Sequence, residues 1–215
     1  MPLALDNQDM LGSYRSKVLR VKLGITTLWT AREVISVKKI ITHVKYIEWN
    51  NDNDIALLLL FKPIKLSMLK TPICLPPVGN FSIKDWTTCF VIGWSTTGEI
   101  RHPEVLQKVE MELVEWKRCK KQIWSLTKNM LCAGYEEGGR NACMGDSGGP
   151  LVCKTLKNYF WYQVGIVSWG IGCTERGVPA AYALVSNYVN WIETETAKAG
   201  KPYVRKAQLR NKDKM

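Results

Sequence analysis

The feature that most restricts the fold of this chain is how short its apolar runs are. None approaches the roughly 18 residues that a membrane-crossing helix needs. Residues 18–24 alternate apolar and basic side chains and end at Gly24, the pattern of a half-exposed strand. Residues 34–43 predict a second strand, and the unbroken apolar run 55–61 fits a buried strand but is too short for an independent helix. Pro63, Pro72, Pro76 and Pro77 then punctuate a connecting segment, a candidate boundary between subdomains. Beyond it, strands are expected at 88–92, 105–114, 150–154, 160–169 and 180–185, separated by turn residues as in an all-β barrel or sandwich. Two helices are expected. One covers 115–124, with Lys117, Arg118, Lys120 and Lys121 toward solvent; the other is capped by Ser186, carries Tyr188, Val189, Trp191 and Ile192 on one face, and stops at Gly200 and Pro202. A chain of 215 residues with 46% apolar content can bury a full core, as one large domain or two small ones, which excludes disorder throughout.

Charge and cysteines narrow the setting. The net charge is +11, and residues 198–215 hold more than half of it, with seven Lys or Arg against the single acid Asp213. This basic tail reads as a solvated charge run; the functional alternative is an anionic partner such as a heparin-like glycan, an acidic membrane surface or nucleic acid. Seven cysteines without Cys-x-x-Cys or Cys/His metal spacing read as a disulfide framework from an oxidising compartment, extracellular or in the secretory pathway, with one cysteine left unpaired. Residues 1–10 lack the basic and apolar regions of a signal peptide. Residues 1–12 therefore read as an atypical leader, and the conflict with the cysteines leaves two readings: a cytosolic chain with free thiols, or a chain truncated at its N-terminus. No metal or cofactor is implied.

The chemistry concentrates at Gly145-Asp146-Ser147-Gly148-Gly149-Pro150, flanked by Cys143 and Cys153. Glycines around one serine allow a sharp turn that projects its hydroxyl into a cleft. The same turn aims the backbone N–H groups of Gly145 and Ser147 at one point, as an oxyanion hole requires. A serine hydroxyl is a weak nucleophile and needs a base oriented by a carboxylate. Asp54 heads the apolar run Ile55-Ala56-Leu57-Leu58, so it is either that carboxylate or an acid capping a buried strand.

Together with Gly93-Trp94, Met130-Leu131-Cys132-Ala133-Gly134 and Ser168-Trp169-Gly170, these motifs over residues 17–197 resemble the trypsin/chymotrypsin family of serine proteases, with a leaning toward its testis-type members. The resemblance implies two packed six-stranded antiparallel barrels, the first incomplete here, and a C-terminal helix. Its divisions would be 13–77 for the rest of the first barrel, 78–186 for the second, 187–197 for the helix and 198–215 for the tail. It implies Ser147 as nucleophile, Asp54 as orienting acid and Ser168 as a hydrogen-bond partner of that acid. It implies disulfides Cys89–Cys153, Cys119–Cys132 and Cys143–Cys173, with Cys74 left for a partner in an upstream segment.

Two features depart from the family pattern. His43 and His102 are the only histidines, and neither stands in the family's Ala-Ala-His-Cys context, so the base is absent. Without an activating amino terminus to pair with Asp146, a zymogen-like Gly145 loop is expected. At the specificity pocket, Asn141 stands where an aspartate would select Arg or Lys, Gly170 fits an open wall, and Ala180 replaces the usual glycine. The expected function is a serine endopeptidase acting on protein or peptide substrates by descent, with this chain inactive; the alternative is a pseudoprotease acting by binding.

Overall fold

The computed structural model describes residues 4–5, 19–30, 33–79, 81–94, 103–135, 146–157, 159–170 and 178–205. Two sheets of different kinds carry the chain. The first contains β1 (Ala4–Leu5), β2 (Arg20–Leu23), β3 (Glu33–Thr42) and β4 (Ala56–Leu60), in the order β1-β4-β3-β2. All its pairs are antiparallel, and it does not close among the described residues. Within the segment read as a leader, Ala4 and Leu5 pair with Leu57 and Ala56 at the β4 edge.

The second is a closed six-stranded barrel. It contains β5 (Trp86–Gly93), β6 (Gln107–Val114), β7 (Met130–Gly134), β8 (Pro150–Thr155), β9 (Trp161–Trp169) and β10 (Ala180–Leu184), closing in the order β10-β7-β6-β5-β8-β9. Its interior is filled by Val91, Met111, Leu131, Leu151, Val164, Val167 and Tyr182 around the Cys89–Cys153 disulfide. Cys89 and Cys153 oppose each other across the β5/β8 ladder, so the bridge joins adjacent strands. The strands predicted from the sequence match these elements to within a few residues. β7 is the exception, because the sequence marks it only as a motif. Leu131 and Ala133 face the barrel interior while Met130 and Cys132 join a second cluster outside it, so both faces are apolar and no alternation is visible.

Helix α1 (Trp116–Gln122) follows β6, and the Cys119–Cys132 disulfide ties it to β7. Helix α2 (Val185–Lys198) continues directly from β10. The expected Ser186 cap is corrected here: Leu184 occupies the N-cap without a side-chain cap bond, and Ser186 lies buried inside the helix with its hydroxyl unpaired among the described residues. Core packing sets that boundary. Val185, Tyr188 and Ile192 pack with Ile55, Leu57 and Ile166, drawing the helix start onto the strand end, while the Leu184 N–H donates to the Asn129 carbonyl at 2.8 Å. The helix ends at Lys198, next to the predicted Gly200 stop.

Cys74 carries a free thiol among the described residues, and its carbonyl accepts from the Gln163 N–H at 2.9 Å. The expected Cys143–Cys173 bridge lies outside the described residues.

Candidate active site

Ser147 sits exposed in a turn between two buried neighbours, Asp146 and Gly148. Gly148 has φ 76°, a left-handed conformation that a side chain would strain, which is one reason for a glycine directly after this serine. The turn is pinned from both sides. The Gly148 N–H donates to the Val167 carbonyl at 2.9 Å, the Val167 N–H donates to the Gly149 carbonyl at 2.9 Å, and the Gly149 N–H donates to the Asp146 carbonyl at 2.7 Å. Gly93 allows Asp146 to pack there: a Cβ on Gly93 would stand 2.1 Å from Asp146 Oδ1. Gly145 lies outside the described residues, as do Asn141 and His102.

The residue after Val167 links this turn to the first sheet. The Ser168 hydroxyl donates to Asp54 Oδ2 at 2.6 Å, and both residues are buried. A buried carboxylate needs such partners because its desolvation is otherwise costly. Ser147 and Asp54, far apart in sequence, are thus joined through Gly148, Val167 and Ser168.

The loop carrying Asp54 is held by a polar network across the two sheets. Asp52 Oδ1 accepts from the Thr127 hydroxyl at 2.6 Å and from Asn129 Nδ2 at 3.1 Å. Asn129 Oδ1 in turn accepts from Asn187 Nδ2 at 3.2 Å. Asn51 and Asn53 take left-handed φ values of 55° and 59°, which asparagine tolerates better than most residues. Sequence reasoning missed Asp52, Thr127 and Asn129, since no local signal relates residues 75 positions apart.

His43 is engaged elsewhere. Its ring packs on Tyr188 at 5.6 Å and Trp191 at 5.0 Å between centroids, while Nδ1 accepts from the Lys45 N–H at 3.3 Å. Burial, with Lys45 adding to it, lowers the His43 pKa against the opposing pull of Asp52 and Glu195. Burial also raises the pKa of Tyr188, helped by Asp52 and Asp54.

The remaining expected pocket residues fall at the barrel rim. Gly170 is exposed directly after β9, and Ala180 is buried at the start of β10 opposite Ala133. Tyr182 lies deep in the barrel, its hydroxyl unpaired among the described residues, and burial with the nearby Asp146 raises its pKa. A cavity of about 720 Å³ opens elsewhere, against the first sheet, lined by Leu23, Ile41, Leu57, Leu59 and Leu69. Among the described residues, no group of three or more His, Cys, Asp or Glu side chains could hold a metal ion.

An exposed serine turn tied to a buried aspartate at the rim of a closed six-stranded barrel prompts comparison with known families. The family described as Trypsin matches residues 10–192. The chain belongs to the trypsin family. Its match to Transmembrane protease serine 7 of Rattus norvegicus is 40% identical over 174 residues, covering 79% of this chain and 21% of that protein. Its match to anionic trypsin of Bos taurus is 36% identical over 185 residues, covering 83% of this chain and 71% of the other. The chain thus spans about a fifth of the first relative and most of the second. The trypsin-family match begins within the segment read as a leader, and two of the three disulfides expected for the family are formed here. No helix among the described residues is long and apolar enough to cross a membrane.

Proposed function

We propose that this trypsin-family chain carries two of the three catalytic groups of a serine endopeptidase. Ser147 is the nucleophile, Asp54 the carboxylate that orients the base, and the Gly145 and Ser147 N–H groups the oxyanion donors. The observation that carries this reading is the buried Ser168–Asp54 hydrogen bond beside the pinned Ser147 turn. Substrates are peptides or proteins, and the chain acts in an oxidising, secretory or extracellular setting consistent with its disulfides.

The 215-residue polypeptide alone does not hydrolyse peptides, because its sequence holds no histidine in the family's Ala-Ala-His-Cys context. His43 is held by α2, and a general base must reach within about 3 Å of the hydroxyl it deprotonates. Loss of the base costs such machinery about 10⁶-fold in kcat, on the order of 8 kcal/mol. By the family resemblance, Asn141, Gly170 and Ala180 stand at the specificity-pocket positions, and an intact relative with this lining would favour small or medium neutral side chains. Asn141 lacks the charge that a basic side chain would need, and with Ala180 it favours a second reading, in which the chain binds peptides without cleaving them.

Labelling with a fluorophosphonate probe tests both statements. The 215-residue chain should remain unlabelled, and stoichiometric labelling at Ser147 would overturn the proposed inactivity. Labelling at Ser147 that appears once a histidine-bearing upstream segment is joined to the chain supports the endopeptidase reading over the binding one.

A further inference from the structure

The hairpin joining β8 to β9 exposes its largest side chains. Leu156 is 53% exposed, Tyr159 67%, Phe160 57% and Trp161 38%. The described backbone on either side of the tip is hydrogen-bonded. The Leu156 N–H donates to the Asp85 carbonyl at 3.1 Å, the Lys157 N–H to the Thr155 hydroxyl at 3.2 Å, and the Tyr159 N–H to the Thr155 carbonyl at 3.2 Å. Tyr159 takes a left-handed φ of 57°, uncommon for an aromatic residue, within this tip. On the adjoining barrel surface, Phe90 meets Trp161 at 5.8 Å, extending the apolar area.

Lysines interleave with these rings. Lys108 Nζ lies 4.9 Å from the Phe90 centroid and Lys154 Nζ 5.0 Å from that of Tyr159. Lys157 lies in the tip itself, 3.8 Å from the acid Asp85, and Glu110, opposite Phe90, is a further acid of the patch. The patch is therefore apolar at its crest and basic at its base.

We infer that this hairpin tip docks on an anionic phospholipid surface, with Leu156, Tyr159 and Phe160 inserted at headgroup depth and Lys108, Lys154 and Lys157 against the phosphates. An exposed apolar tip suits a deformable surface better than a preformed pocket. Leucine and phenylalanine offer no hydrogen bond to a glycan or a nucleic acid, yet gain from burial among acyl chains. Aromatic rings favour the headgroup zone, and lysine stems follow apolar surface while the ammonium remains in the polar layer. Attraction of lysine to anionic headgroups completes the match.

Co-sedimentation of the 215-residue chain with phosphatidylcholine vesicles, with and without phosphatidylserine, tests the inference. Binding should require phosphatidylserine and fall by about tenfold or more in Leu156→Ser/Phe160→Ser. It should also fall roughly tenfold in Lys108→Gln/Lys154→Gln. Leu156, Phe160 and Lys108 are exposed and Lys154 is half-buried, so the thermal melting of both variants should match that of the native chain, which separates lost docking from lost folding. A chain lacking residues 206–215 should keep the difference between native and Leu156→Ser/Phe160→Ser tips. Binding that vanishes with the tail and ignores the tip overturns the inference. So does binding to heparin but not to vesicles, or a dimer in sedimentation equilibrium that the serine variant dissolves without any vesicle binding.

Discussion

The two sheets of this chain solve the same problem to different extents. The barrel of β5 to β10 pairs every strand on both sides and fills its interior with side chains from all six, under a disulfide that spans a loop of 64 residues. Among the described residues the first sheet leaves an edge at β2, covers its β4 edge with a two-residue strand, and keeps a cavity of about 720 Å³ on its leucine-lined face. Closure removes exposed strand edges and buries both faces of each strand; an open sheet retains backbone groups that can pair with another chain. The half that carries Asp54 is thus the less enclosed half. Its attachments to the barrel, the Asp54–Ser168 bond, the Asp52 network and α2, hold the site together.

The largest expected effect tests the barrel's constraint. Replacing Cys89 and Cys153 with alanine should remove about 4 kcal/mol of stability, from the loop-closure entropy of a bridge of this span. Hydrogen exchange in β5 and β8 should then approach that of β2 and β3. An unchanged gap in protection would break the contrast drawn between the two sheets. Next comes a paired truncation. Leu151→Ala, in the barrel interior, should cost about 3 kcal/mol by leaving an enclosed void, whereas Leu60→Ala, which borders the open cavity, should cost about 1 kcal/mol or less. Equal losses by urea denaturation would mean that the first sheet is packed as tightly as the barrel.

Ser168→Ala strikes the joint between the two regions. It leaves the buried Asp54 carboxylate without its serine donor and should cost about 1 to 3 kcal/mol, with increased exchange in the 50–56 segment. A loss of exchange protection confined to the barrel would argue against coupling through this bond. The smallest effect concerns His43, which links the first sheet to α2. Its pKa is lower in the folded chain, so the unfolded chain binds more protons, and stability rises with pH through this range. The contribution is complete above the ordinary histidine value of about 6.5 and is lost as pH falls through the lower folded value. A modest fall in melting temperature on acidification should therefore shrink in His43→Gln. An equal fall in both proteins would assign the effect to other groups.

Much of this architecture could be read from local pattern. Short apolar runs between turn residues mark most strands, and the glycines around Ser147 mark a sharp turn whose left-handed Gly148 the structure confirms. Family resemblance, rather than periodicity, supplied the Cys89–Cys153 and Cys119–Cys132 pairs and the Asp54–Ser168 partnership. Two local rules were outweighed by packing. β7 shows no alternation because both its faces are buried, and Ser186 does not cap α2 because core contacts at Val185 pull the helix start two residues earlier.

What remained beyond local reading is long-range and polar. Asp52 is an unremarkable acid in sequence, yet Thr127 and Asn129 converge on it from the other half of the molecule. His43, a candidate base only while its position is unknown, is occupied by Tyr188 and Trp191. Residue type and spacing report the backbone's preferences and the chemistry a side chain could perform. Which side chains meet depends on how the sheets pack, because contacts across about 75 to 135 residues leave no periodic trace in the chain.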